Sequence, residues 1–380
     1  MKLALACPTV GQTQRGYERF FTDLHRELGP ELGPQWAPHL FKGGGKAGVR
    51  ETVLPHLRRT GFLARLCGRR LAWRRYPLEH LSFAARLAPS LRSGGFDLVH
   101  VIDPPQLAHL LRMRRWGLWR GRLLFTQGGP AIIEPDSDVD HVHCLTRDIF
   151  ERMQSLGVPG DRLTLLPVGI ARERFAIATT RDELRRRHGV PPSAFIVLCL
   201  GAVNRHHKRI DYVTDQVCAA GEPVHLWLDG SLHPDGEPAL LDQARARLGP
   251  RFHHTQVPSA QVGELLAMAD VVVSAALDES FGMAVVEAMS AGLPVLVHDN
   301  THFRALVGDG AHRIDMATPG ALAAVLRDMA QGRRALQPLK DPRAAVAHLS
   351  WRELVPKYAD MYRRAAGPAL VHEAQPEVTA

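Results

Sequence analysis

Two glutamates, Glu279 and Glu287, lie eight residues apart in DVVVSAALDESFGMAVVEAMSAGLPVLVHDN (270–300). A carboxylate accepts hydrogen bonds from paired hydroxyls, such as those of ribose and hexose. Glu279 precedes Gly282 and Glu287 follows it, so one belongs to a loop and the other to the cleft-facing side of a helix. Only that arrangement lets both point at one ligand. Gly282 allows close approach of the backbone. The free amides of Phe281, Gly282, Met283 and Ala284 would form a helix N-terminus, a natural anion site. A second run, LCLGAVNRHHKRID (198–211), holds Arg205 and Lys208 three residues apart with nothing acidic nearby. Cations at such a junction suit a diphosphate. His206, His207 and Arg209 read as turn residues. The plainer alternatives are two surface glutamates flanking a helix and a solvated basic turn.

Those residues need strand-to-helix junctions to hold them, and the apolar pattern supplies such junctions twice. Strand candidates in the first half are Leu3–Cys7, Trp36–Phe41, Asp97–Ile102, Leu123–Thr126 and His141–Leu145. In the second half they are Phe195–Leu200, Val224–Leu228, Phe252–Gln256, Val271–Ser274 and Val295–Val297. Several are near-continuous apolar runs, the mark of strands buried on both faces. Helical patterns lie between them, at 17–28, 104–115, 146–156, 181–188, 208–219, 238–248, 259–268, 283–291 and 320–331. This predicts an α/β protein with two Rossmann-like, doubly wound parallel-sheet domains facing a central cleft. The predicted boundaries are 1–168 and 169–345, with a hinge at about 168–190. A C-terminal helix over 346–366 returns to the first domain, and 367–380 is a disordered tail.

The segment ESFGMAVVEAMSAGLPV resembles the signature of family 4 glycosyltransferases (glycosyl transferases group 1). That resemblance implies the GT-B fold and sugar transfer from a nucleoside-diphosphate sugar to a hydroxyl acceptor, with retention of anomeric configuration. It implies that Glu279 contacts donor-sugar hydroxyls and Glu287 the ribose, with Phe281, Gly282, Met283 and Ala284 facing sugar and diphosphate. Arg205 and Lys208 match the pair that neutralises the leaving diphosphate, which makes them, with Glu279, the catalytic candidates. TVGQTQRGYE (9–18) matches a Gly-rich loop followed by Glu, through Arg15, Gly16 and Glu18. FDLVHVID (96–103), DRLTLLPVGI (161–170) and LSWRELVPKYADMYRR (349–364) are weaker echoes. The chain departs from the pattern where LLFTQGG puts Gln127 in place of the usual His near the donor sugar. Glutamine can bond a hydroxyl but is no acid or base. Val168 stands where Asn is usual and Ala171 where Asp is common. These departures keep alternatives open: a catalytically silent sugar-nucleotide-binding scaffold, or another GT-B enzyme such as a phosphorylase or epimerase.

No cofactor or metal is expected, because cations and helix amides can stabilise the leaving diphosphate. Asp136, Asp138 and Asp140 form overlapping DxD triplets, but before a strand rather than after one, and read as a solvated loop. Gly43, Gly45 and Gly48 match a dinucleotide fingerprint after the second strand instead of the first, with no acid about 20 residues on. They read as a flexible loop. The five cysteines have no CxxC spacing, which fits a reducing cytoplasm. The chain carries +8 overall, yet residues 1–120 alone carry a net +12. Seven arginines and no acid fall in 58–75, interleaved with Phe62, Leu63, Leu66, Cys67 and Trp73. Three readings of that stretch stand: a packed helix with a solvated Arg face, docking to an anionic membrane surface at the inner face of the membrane, or binding of a phosphate-bearing acceptor or nucleic acid. No nucleic-acid module is recognisable, and nucleic acid is not an expected partner. No apolar run approaches a membrane span.

Overall fold

Short apolar strands and longer amphipathic helices alternate through a computed structural model of the protein, which describes residues 2–13, 16–33, 36–59, 61, 75–128, 138–232, 236–332 and 340–367. The chain divides into two compact units, one formed by residues up to Gly169 and from Trp351 onward, the other by Ile170–Ser350.

The first unit holds β1 (Leu3–Cys7), β2 (His39–Lys42), β3 (Glu51–Val53), β4 (Leu98–Val101), β5 (Arg122–Gln127), β6 (His141–Cys144) and β7 (Leu163–Leu165). They pair in the order β3-β2-β1-β4-β5-β6-β7, each neighbour parallel. The predicted strand at 36–41 is shifted: Trp36 lies in a turn and the strand is His39–Lys42. The short strands β3 and β7 escaped the sequence reading. Helix Arg75–Gly94 was likewise not foreseen. Gly43 has no room for a side chain, since a Cβ there would lie 1.9 Å from the Pro8 carbonyl. The glycines after β2 therefore let that loop cross the loop after β1.

Helix Trp351–Ala366 buries Trp351, Leu354, Val355, Tyr358, Met361 and Tyr362 at helical spacing and packs on helix Gly16–Leu32 of the first unit. A chain of hydrogen bonds anchors it, and its polarity is forced. The Leu166 carbonyl can only accept, so His143 Nε2 donates to it at 2.9 Å. His143 Nδ1 then accepts from the Thr126 hydroxyl at 2.8 Å. Thr126 in turn accepts from His100 Nε2 at 2.6 Å, and His100 Nδ1 accepts from Tyr362 at 2.7 Å. Both histidines are neutral in this chain. His100 and His143 are thus core residues, as is His141, whose Nε2 lies 2.8 Å from the Thr164 hydroxyl.

The second unit holds β8 (Phe195–Leu200), β9 (Val224–Asp229), β10 (Phe252–Thr255), β11 (Val271–Ser274), β12 (Val295–His298) and β13 (His312–Ile314). Their order is β10-β9-β8-β11-β12-β13, again all parallel. Strand β13 and helix Thr301–Val307 were not foreseen. Strands β8 and β11 are neighbours, so the sheet reverses its winding between them. Loops leaving the C-terminal ends of two such strands diverge and open a crevice. At the opposite ends, Asp270 Oδ2 accepts from the Ile196 amide and from Arg185, each at 2.6 Å. That buried guanidinium also donates to the carbonyls of Met268 and Ala194. One carboxylate thereby sets the relative position of the two strands that carry the candidate site.

Candidate functional site

The loop after β8 is organised by Asn204. Its side-chain oxygen accepts from the amides of His207, at 3.1 Å, and Lys208, at 2.8 Å. This is the local backbone capture that makes Asn a turn residue. Lys208 is thereby aimed at the loop after β11, where its ammonium donates to Glu279 Oε2 at 2.5 Å. Arg209 follows in the left-handed region at φ 52°. Its guanidinium donates to the Ala275 and Met316 carbonyls, both at 3.2 Å, and lies 4.1 Å from the Tyr212 ring centroid. Arg209 is therefore a bracket between the two loops rather than a simple turn residue.

Glu279 is buried, its side chain only 6% exposed. Oε1 lies 3.5 Å from His207 Nε2 and accepts from the Ser280 amide at 3.2 Å. Burial by itself would raise the Glu279 pKa; the Lys208 charge and the His207 contact outweigh it and hold the carboxyl well below its usual range. A buried carboxylate thus stays ionised at the crevice.

Helix Met283–Ala291 starts beside it. Its N-cap is Gly282 at φ 95°, a conformation open to glycine, and a Cβ there would also come within 3.0 Å of Leu306. With no side chain at the cap, the amides of Phe281, Gly282, Met283 and Ala284 meet no protein acceptor among the described residues. Phe281 is buried, its carbonyl accepting from His302 at 3.1 Å. Glu287 lies further along the helix, 4% exposed. The result is an ionised carboxylate, a cation and unengaged helix amides at one switch point, able to bind an anion and hydroxyls side by side.

The expectation of an acid-free cationic pair is corrected. Lys208 is paired with Glu279, and Arg205 is turned to Asp211 at 2.9 Å and to Glu237 at 3.7 Å. Arg205, at 56% exposed against 19% for Lys208, is the more solvent-accessible of the two cations. Asp211 stands in the same run, six residues on, whereas Glu237 comes into range only through the fold, at the start of helix Pro238–Leu248. His207, set aside as a turn residue, belongs to the Glu279 cluster.

Two site residues named from the sequence lie in the first unit. Gly16 opens helix Gly16–Leu32, and Gln127 ends β5, buried at 1% exposure. Arg15 and Asp136 lie outside the described residues. Asp138 and Asp140 pair with Arg115 and Arg114, at 2.7 and 2.5 Å. Among the described residues no three His, Cys, Asp or Glu side chains converge as a metal site would require. One residue went unnoticed: Asp103, just after β4 at the switch point of this sheet. It precedes Pro104 and Pro105, which have no amide to cap, and the Tyr76 hydroxyl lies 3.3 Å away. Burial, with Glu18 nearby, pushes its pKa up to about 7.

Comparison with known proteins agrees with this geometry. The profile of the family "Glycosyl transferases group 1" matches residues 194–331, the stretch that holds both loops. D-inositol 3-phosphate glycosyltransferase of Xylanimonas cellulosilytica is 28% identical over 58% of this chain and 56% of its own length, so the chain spans about half of that relative. Phosphatidyl-myo-inositol mannosyltransferase of Mycobacterium tuberculosis is 27% identical over 79% of this chain and 76% of its own. The solved structure of Anabaena Alr3699/HepE in complex with UDP-glucose superposes with a TM-score of 0.72, at 15% identity, over 96% of this chain and 99% of that one. Two parallel α/β units give the chain the fold of the GT-B structures, and the segment that matches the group 1 glycosyl transferase profile carries the buried Glu279–Lys208 pair.

Proposed function

We propose that the protein transfers a sugar, with retention and without a metal, from a nucleoside-diphosphate sugar to a hydroxyl acceptor. The observation that carries this is Glu279: an ionised carboxylate held at the crevice by Lys208, next to unengaged helix amides. Amides 281–284 and Lys208 would hold the diphosphate, Glu279 the sugar hydroxyls, and Glu287 the ribose. In the reaction the bond from the anomeric carbon to the diphosphate oxygen breaks and a bond to the acceptor oxygen forms. The acceptor proton passes to the departing diphosphate. Lys208 and the helix N-terminus stabilise charge as it develops there, with Arg205 able to swing in from solvent. The names of the relatives and the UDP-glucose bound to the Anabaena protein support this reading.

The test is a panel of nucleotide sugars scored by thermal shift and by slow hydrolysis to free nucleotide. A single donor that both stabilises the protein and is hydrolysed would support the proposal. A panel in which none binds would overturn it.

Docking to an anionic membrane surface through residues 58–75 belongs to the same proposal. Most of that stretch lies outside the described residues, but its described flanks expose Leu57, Leu78 and Leu81 at 44%, 39% and 38%, beside exposed Arg58. Apolar side chains among arginines favour such an interface. Co-sedimentation with phosphatidylglycerol vesicles at low salt is expected, and its absence would remove this partner. No described helix is long and apolar enough to cross a membrane.

A further inference from the structure

We infer that the Glu279–Lys208 pair makes the second unit selective for an intact nucleotide sugar over the nucleoside diphosphate left after transfer. This rests on the proposed function and adds a specificity device to it. The Glu279 side chain is buried at 6% exposure and that of Lys208 at 19%, and the two are in direct contact at 2.5 Å. Oε2 is given to Lys208, whereas Oε1 has His207 at 3.5 Å and the Ser280 amide at 3.2 Å. The carboxylate lies against the N-cap of the anion-binding helix: its Cγ is 3.7 Å from where a Cβ on Gly282 would sit. A diphosphate arriving at amides 281–284 therefore meets an ammonium already engaged by another anion.

Two anions then compete for one cation. When the diphosphate draws Lys208 away, Glu279 Oε2 is left buried with no partner in place of the ammonium, which is costly for a carboxylate. A sugar attached to the diphosphate brings hydroxyl donors to that oxygen and offsets the loss. A free nucleoside diphosphate brings none, so the carboxylate reclaims Lys208 and the product leaves. His207 sets how strongly: by keeping one contact on Oε1 it limits the penalty without removing it.

Calorimetric titration of the full chain with UDP, UDP-glucose, GDP and GDP-mannose tests this, on the wild type and on Glu279→Gln. Glutamine keeps the shape and removes the competing charge. The expected result is that Glu279→Gln binds the nucleoside diphosphate about tenfold more tightly than the wild type does, while the advantage of the intact donor shrinks. Should Glu279→Gln fail to fold, Glu279→Ala is expected to show the same gain. Diphosphate affinity unchanged or weakened in a folded Glu279 variant overturns the inference while leaving the transferase reading intact. Failure of the wild type to bind any of the four ligands overturns the transferase reading itself and the inference with it.

Discussion

Replacing Lys208 by methionine removes the ammonium 2.5 Å from Glu279 and leaves a carboxylate of 6% exposure in place. Breaking a buried pair by deleting one partner costs about 3–5 kcal/mol, since the remaining charge stays desolvated. His207 and the Ser280 amide still touch Oε1, so the lower end, about 3 kcal/mol, applies here. Adding Glu279→Gln to Lys208→Met removes the stranded charge, and the double variant is expected to recover about 2 kcal/mol of that loss. The assay is urea unfolding at pH 7, followed by far-UV circular dichroism and by tryptophan fluorescence, whose buried reporter in the second unit is Trp227. With a slope of about 2–3 kcal/mol per M, Lys208→Met should lower the midpoint by roughly 1 M. The penalty depends on ionised Glu279. The folded pKa of Glu279 is depressed below 4.5, so its stabilisation is present above pH 4.5 and lost as pH falls below it. The gap between wild type and Lys208→Met therefore narrows in acid. A double variant less stable than Lys208→Met alone would refute the reasoning, because it would mean that Glu279 does not depend on Lys208.

Three further outcomes are expected. Burial lowers the pKa of His141 and His143 to about 4 and also lowers that of His100, so these buried histidines stabilise the first unit above pH 6.5 and stop doing so as pH falls toward 4. At pH 5 this is about 2 kcal/mol for each of His141 and His143. Acid unfolding that begins below pH 6.5 and is softened by His143→Gln checks it, whereas a His143 ring that titrates near 6.5 in the folded protein by NMR argues against it. Arg209→Ala loses two guanidinium–carbonyl bonds that tie the loops together and should cost about 1.5–3 kcal/mol. Faster hydrogen exchange over 275–282 is the readout, and unchanged exchange there would show that the bracket carries no load. Glu287→Ala should weaken nucleotide binding about tenfold or more with little change in fold, since the residue is proposed to hold the ribose. Equal donor affinity by calorimetry would remove it from the site.

Sequence periodicity records which faces are buried, and that was enough for the alternation of strand and helix and for the two loops at 198–211 and 270–300. A near-continuous run of β-branched residues such as Val271, Val272 and Val273 favours a strand buried on both faces, and a glycine-led helix after it leaves amides open. The short strands Glu51–Val53, Leu163–Leu165 and His312–Ile314 were illegible because three residues carry too little period, and all three lie at sheet edges where burial is incomplete. Pairings were illegible for a different reason. Lys208 and Glu279 are 71 residues apart, and Tyr362 and His100 are 262 apart. Nothing local distinguishes Lys208, which is committed to a buried carboxylate, from Arg205, which reaches Asp211 and Glu237. That division follows from the strand order, which places β8 beside β11 and so brings two distant loops to one crevice. Residue types therefore specify what chemistry the loops can do, whereas the partner of each charge depends on which strands lie side by side, because charges interact through space and chain separation does not enter the Coulomb energy.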